Sequence, residues 1–176
     1  IIENELKAAS HSKYVHKEEK PAETDVREVI SACLSSLADK IADGKTKVEF
    51  DPEGKKLITD IPFHLLFQAV FNILHNAIHW TTRNSEISTR SIAITVDERL
   101  GRVIISNTGP PLDRTMKRVG EQPFRTTKPD GHGLGMWLSS ETLKPYKASI
   151  VFLNDGHQSF RKNVSVMISL NPKADV

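Results

Sequence analysis

The chain has 176 residues, 38% hydrophobic and 26% charged, which suits one domain with a real core and excludes wholesale disorder. Twenty-four basic residues against 22 acidic ones leave a net charge of +2, which argues against a general nucleic-acid binder. The single cysteine, Cys33, excludes an internal disulfide framework and a Cys-rich zinc site. No apolar run approaches the roughly 20 residues that span a bilayer, and no secretory leader is visible. With Ile1 at its start, the chain reads as a soluble piece of something longer.

Residues 1–22 are polar, end in a charge run before Pro21, and read as a linker or as the tail of an upstream helix. Val26, Val29, Ile30, Cys33, Leu34, Leu37, Ala38 and Ile41 then recur at three- and four-residue steps. That spacing predicts one amphipathic helix, with Gly44 as its stop. Thr46 to Asp51 alternates as a strand does, and Pro52-Glu53-Gly54 is a turn. Residues 62–82 are apolar nearly all round, so this helix is expected to be buried. Ser91–Val96 and Arg102–Ser106 read as strands joined by a tight turn at Leu100-Gly101. The stretch from Asn107 to Gly135 is rich in Gly and Pro, and a loop that long inside a domain is usually functional or disordered. Helical spacing resumes over Leu134–Leu143, and Ser149–Leu153 and Val164–Leu170 close the chain as strands. Trp137, Phe152, Phe160 and Cys33 read as packing residues. The expected fold is a two-layer α+β sandwich, a mixed and mostly antiparallel sheet covered on one face by helices.

Two features carry chemistry. Gln68, Asn72, His75, Asn76, His79 and Arg83 fall mostly at steps of three or four and share one side of the 62–82 helix. Buried amides and imidazoles cost about 1–3 kcal/mol each when unpaired. The stripe therefore either faces solvent and loop backbone or floors a polar ligand site. In the second case Asn72 and Asn76 offer neutral oxygens to a hydrated magnesium ion, and His79 and Arg83 meet phosphate. His75 and His79 also stand four apart, a spacing that suits zinc, but no third ligand and no adjacent Glu accompany them. The second feature is Gly131-His132-Gly133-Leu134-Gly135, which opens a helix where free N–H groups favour an anion. It matches neither the P-loop run nor the dinucleotide fingerprint, and a plain helix start is the alternative.

In order along the chain, NILHNAIHW, ISNTGPPL, PFRTTK and GHGLGMWLS make a more specific set. Over residues 24–170 the sequence resembles the ATP-binding catalytic domain of sensor histidine kinases, within the gyrase, chaperone, histidine kinase and mismatch-repair superfamily. These four segments look like its Asn-containing box, first glycine box, Phe box and second glycine box. The resemblance implies a Bergerat-type fold over residues 23–176, ATP as substrate and magnesium as cofactor. Asn76 would coordinate the ion, with Asn72 on the same face; His79 would contact phosphate, and Trp80 would line the adenine pocket. Asn107 and Gly109 would belong to the base site. Gly131, Gly133 and Gly135 would present backbone to the phosphates, with His132 and Leu134 beside them, and Thr127 and Lys128 would act from a mobile lid.

Two departures from the family pattern matter. Asn107 stands where the family's base-reading residue is normally Asp, and Pro111 replaces the second glycine. A carboxylate accepts a hydrogen bond more strongly than an amide, yet Asn accepts through its oxygen and donates through its NH2, so ATP binding is expected to survive. Asn72 occupies the position where hydrolysing members of the superfamily carry a Glu, and an amide cannot activate water. Transfer to an imported nucleophile is therefore favoured, a histidine on an upstream dimerisation domain, with a response regulator as the indirect partner. His11 and His16 lack the apolar helical context of a phosphoacceptor. The expected place is the cytoplasm, as part of a membrane-anchored sensor without membrane contact of its own. The alternatives are a degenerate, non-catalytic nucleotide-binding or interaction module and a serine kinase of the anti-sigma type.

Overall fold

A computed structural model describes residues 22–111, 135–153 and 162–170. Asp25 caps the first helix by accepting a hydrogen bond from the Arg27 N–H at 3.0 Å. The order is β1 (Thr24–Asp25), α1 (Val26–Ser36), α2 (Ala38–Asp43), β2 (Lys47–Glu49), β3 (Ile58–Thr59), α3 (Phe63–Thr82), β4 (Ser91–Asp97) and β5 (Arg102–Asn107). Then follow α4 (Gly135–Leu143), β6 (Ser149–Leu153) and β7 (Val164–Ser169).

The main sheet runs β2-β4-β5-β7-β6, with β2 parallel to β4 and the other pairs antiparallel. Strand alternation puts Ile92, Ile94, Val103, Ile105, Val166 and Ile168 on one face, where they join Leu66, Ile73 and Leu74 of α3 and Val29, Ile30 and Cys33 of α1 in one core. Each fully buried aliphatic side chain stabilises the fold by about 1.5–3 kcal/mol. This is the expected two-layer sandwich with a mixed, mostly antiparallel sheet.

The first predicted helix is two helices. Leu37 sits between them with φ −108° and ψ 6°, its side chain buried. The Ser36 hydroxyl donates to the Ala32 carbonyl at 2.9 Å, a back-bond that bends helices, and the bend lets Leu37 stay in the core. Gly44 ends α2 in a right-handed conformation, and the left-handed residue is Lys45 (φ 47°). Glycine is required at 44 for space, since a Cβ there would lie 2.6 Å from Thr82 Cγ2. The strand expected over Thr46–Asp51 is confined to β2, and the two-residue pair β1 with β3 went unforeseen.

α3 is less enclosed than its composition implies. One stripe of it is buried, whereas Phe63 is 44% exposed. Phe63, Phe67, Phe71 and His75 stack at successive four-residue steps, with ring centroids 5.8–6.1 Å apart. Stacking shields part of each ring in place of full burial. Phe152 packs against the core as expected, Cys33 is fully buried, and Trp137 is half-buried rather than a core residue. Phe160 lies outside the described residues.

Candidate nucleotide site

The polar side of α3 is bounded at both ends by glycine-bearing segments. Toward its C-terminal end lies the stretch after β5. Asn107, the last residue of that strand, pairs with Ile92 and Val164 and is only 4% exposed. The Thr108 N–H donates to the Ser91 carbonyl at 3.1 Å, and the Thr108 hydroxyl accepts from the Ser91 N–H at 3.0 Å. The Asn84 amide donates to the Thr108 carbonyl at 3.1 Å, and the Asn163 amide to the Gly109 carbonyl at 3.0 Å. These bonds press Gly109 onto α3. A Cβ at 109 would lie 2.7 Å from Asn107 Nδ2, 2.9 Å from Trp80 Cβ and 3.0 Å from the Trp80 carbonyl carbon. Asn107 Nδ2 is buried and has no hydrogen-bond partner among the described residues.

Two turns back along α3, about 12 Å at the helical rise, Asn72 meets the start of α4. Its amide donates to Ser139 Oγ at 3.0 Å and to the Gly135 carbonyl at 3.4 Å, while the Ser139 hydroxyl donates to the same carbonyl at 2.8 Å. Gly135 itself has room, because a Cβ there would stand 3.7 Å from the Asn72 amide carbon. Asn76 and His79 lie half-buried between these two ends. The His79 ring meets Trp80 edge-on at 5.1 Å, and the Arg83 guanidinium lies 5.6 Å from the centre of the Trp80 ring. That cation–π contact stiffens Trp80.

The predicted stripe thus divides. Asn72 turns to α4, whereas His75 lies 3.2 Å from Lys40 Nζ at the end of the phenylalanine ladder; Gln68 is exposed. Thr127, Lys128, Gly131, His132, Gly133 and Leu134 lie outside the described residues, as does most of the expected lid. Ser139, Thr108, Asn84 and Asn163 position the site and were missed. The Ser four residues after Gly135 and the Thr between Asn107 and Gly109 were the available signals.

The sequence profile described as histidine kinase-, DNA gyrase B- and HSP90-like ATPase matches residues 63–171, more than half of the chain. The chain belongs to this family. It is 27% identical over 131 residues to the C4-dicarboxylate transport sensor protein DctB of Rhizobium meliloti (strain 1021), covering 72% of this chain and 20% of that protein. It is 24% identical over 94 residues to the sensor protein TdiS of Thauera aromatica, covering 52% of this chain and 17% of that protein. The chain therefore spans at most about a fifth of the length of these relatives. Among solved structures, the catalytic domain of histidine kinase ThkA superposes with a TM-score of 0.70 at 26% identity, covering 86% of this chain and 95% of that one. The ATP-binding domain of PrrB from Mycobacterium tuberculosis superposes at 0.65 with 15% identity, covering 89% of this chain and 100% of that one, a likeness of fold alone. This is a histidine kinase-type ATPase domain of the kind found in sensor kinases, and its family membership supports ATP as the ligand. No helix among the described residues is long and apolar enough to cross a membrane.

Proposed function

We propose that residues 23–176 are the kinase domain of a two-component sensor, transferring the γ-phosphoryl group of ATP to a histidine on a separate dimerisation domain. Residues 1–22 are then the linker or helix tail leading from that domain. One observation carries the reading: the amide-bearing side of α3 runs between the Asn107–Gly109 segment at Trp80 and the start of α4 at Asn72. A buried amide nitrogen without a partner and a glycine whose Cβ would be refused are what a base subsite needs at one end. The open backbone of a helix start is what phosphate needs at the other.

The donor set also fits magnesium, since Asn76 offers a neutral amide oxygen to a hard cation that keeps several of its waters. When bound, the ion supplies charge neutralisation across the phosphates. The chain's own residues then bind and orient. His79 holds phosphate, Trp80 walls the base, and Gly135 presents backbone; the resemblance assigns Thr127, Lys128, Gly131, His132, Gly133 and Leu134 to the phosphates and lid. Asn72, its NH2 engaged by Ser139 and Gly135, positions α4 against α3. It cannot act as a general base, so hydrolysis is disfavoured and catalysis is by positioning and electrostatics. A response regulator receives the phosphoryl group in turn, and the domain works in the cytoplasm.

The test is titration of a fluorescent ATP analogue with and without magnesium, then phosphorylation of an added dimerisation domain from γ-labelled ATP. Magnesium-dependent binding lost in Asn76→Ala, with acid-labile label on the acceptor, supports the proposal. Acid-stable label on a protein partner points instead to a serine kinase. Asn107 in place of a carboxylate favours one other reading, a non-catalytic module; absence of nucleotide binding, or binding without any transfer, would establish that reading.

A further inference from the structure

We infer that Asn107 makes the base subsite tolerant at the purine 6-position, so that 6-oxopurine triphosphates bind with affinity comparable to ATP. The inference rests on the nucleotide-site reading above and goes beyond it. Asn107 Nδ2 is buried, without a hydrogen-bond partner among the described residues, in a residue 4% exposed. Leaving such a donor unsatisfied costs folding free energy, and the segment around it gives it no freedom to escape. Asn107 is the last residue of β5, and the next two residues are held by Ser91, Asn84 and Asn163. Gly109 sits so close that its absent Cβ would lie 2.7 Å from Nδ2. The donor thus stands at a close approach of backbone to side chain, beside Trp80, in the only residue of the Asn107–Gly109 segment whose side-chain nitrogen needs an acceptor.

What an amide can read there follows from its symmetry. Turned by 180° about χ2 it keeps its shape and exchanges a donor for an acceptor. In one orientation Nδ2 donates to an exocyclic oxygen, as on hypoxanthine or guanine. In the other, Oδ1 accepts from the exocyclic amino group of adenine. A carboxylate at 107 has only the second capability, and against an exocyclic oxygen it sets two acceptors face to face. Asn107 is therefore a specificity-determining residue, and it widens the range of accepted bases.

Inosine triphosphate is the sharpest probe, because it changes the 6-position without adding the 2-amino group of guanine. Calorimetric titration with magnesium present compares it with ATP on the same protein. We expect the natural chain to bind the two within roughly tenfold of each other, and Asn107→Asp to raise the preference for ATP over inosine triphosphate by roughly a further tenfold, the equivalent of one lost hydrogen bond. ATP binding with inosine triphosphate more than a hundredfold weaker on the natural chain overturns this inference and leaves the nucleotide site standing. Equal discrimination by the natural chain and the folded Asp variant overturns it as well. Binding of neither nucleotide removes the site itself, and the inference with it.

Discussion

Two asparagines on facing elements have opposite surroundings. Asn72 on α3 has its NH2 engaged twice, by Ser139 and by the Gly135 carbonyl, and so ties α3 to α4. Asn107 at the end of β5 is more deeply buried and has its NH2 engaged by nothing among the described residues. The neighbouring glycines differ in the same sense. At Gly109 a Cβ has no room, whereas at Gly135 it would make ordinary contact. The same residue type therefore serves as a strut at one end of the polar side of α3 and as an unanswered donor at the other. Residue identity does not decide between structure and ligand binding; the completeness of the hydrogen-bond set does.

If that distinction holds, the largest effect belongs to the residue between the two ends. Asn76→Ala removes the oxygen assigned to magnesium and should weaken magnesium-dependent nucleotide binding by about a hundredfold or more, beyond the loss typical of outer-shell changes. Binding unchanged would break the site reading at its centre. The glycines come next. Gly109→Ala forces a methyl group to within 2.7–3.0 Å of three atoms, two of them in Trp80. Overpacking of that kind costs about 1–3 kcal/mol, read as a lower urea midpoint. Gly135→Ala, where a Cβ makes only ordinary contact, should change stability by less than about 0.5 kcal/mol. Equal costs at the two positions would erase the contrast.

Asn72→Ala tests the strut. It removes two hydrogen bonds and leaves Ser139 still donating to the Gly135 carbonyl, so the cost should be about 1 kcal/mol. Ser139→Ala should cost about as much. The double variant should cost less than the sum, because the three groups form one network. Strict additivity in urea unfolding would mean that Asn72 and Ser139 act separately.

The parts of this arrangement that the sequence shows are those written in spacing. The apolar steps of α1 and α3 predict faces, and faces predict layers; the strands β4 to β7 follow from alternation within a residue or two. The first glycine box is legible because close backbone approach at Gly109 restricts residue type, and the asparagines because polar residues recur at helical steps on one side of α3. What spacing does not carry is which neighbour covers a face. The bend at Leu37 depends on one Ser36 back-bond, and the pair β1 with β3 is too short to show a period. The phenylalanine ladder reads as core by composition, yet α3 has a second, uncovered side that Phe63 shares. The engagement of Asn72 and the isolation of Asn107 are tertiary facts, invisible in NILHNAIHW and ISNTGPPL.

A last test, with the smallest expected effect, lies in a cluster away from the polar side of α3, where each nitrogen of the Arg27 guanidinium is engaged. The buried Arg27 guanidinium donates to the Asp51 carbonyl, to the Lys55 carbonyl at 2.8 Å and to Glu98 Oε1 at 2.6 Å. The Arg27 hydrogen bond, the leading cause, holds the Glu98 carboxyl below its ordinary value. Because the folded value is depressed, the unfolded chain binds the proton first. The stabilisation is thus present above the ordinary carboxylate range and is lost as pH falls through it toward the folded value. Glu98→Gln should therefore cost under about 1 kcal/mol at neutral pH and flatten the acid limb of the urea midpoint against pH. It should leave nucleotide affinity unchanged, since an engaged cluster serves the fold. A change in affinity from this distant pair would show that the two kinds of site are coupled, and that hydrogen-bond completeness alone does not separate them.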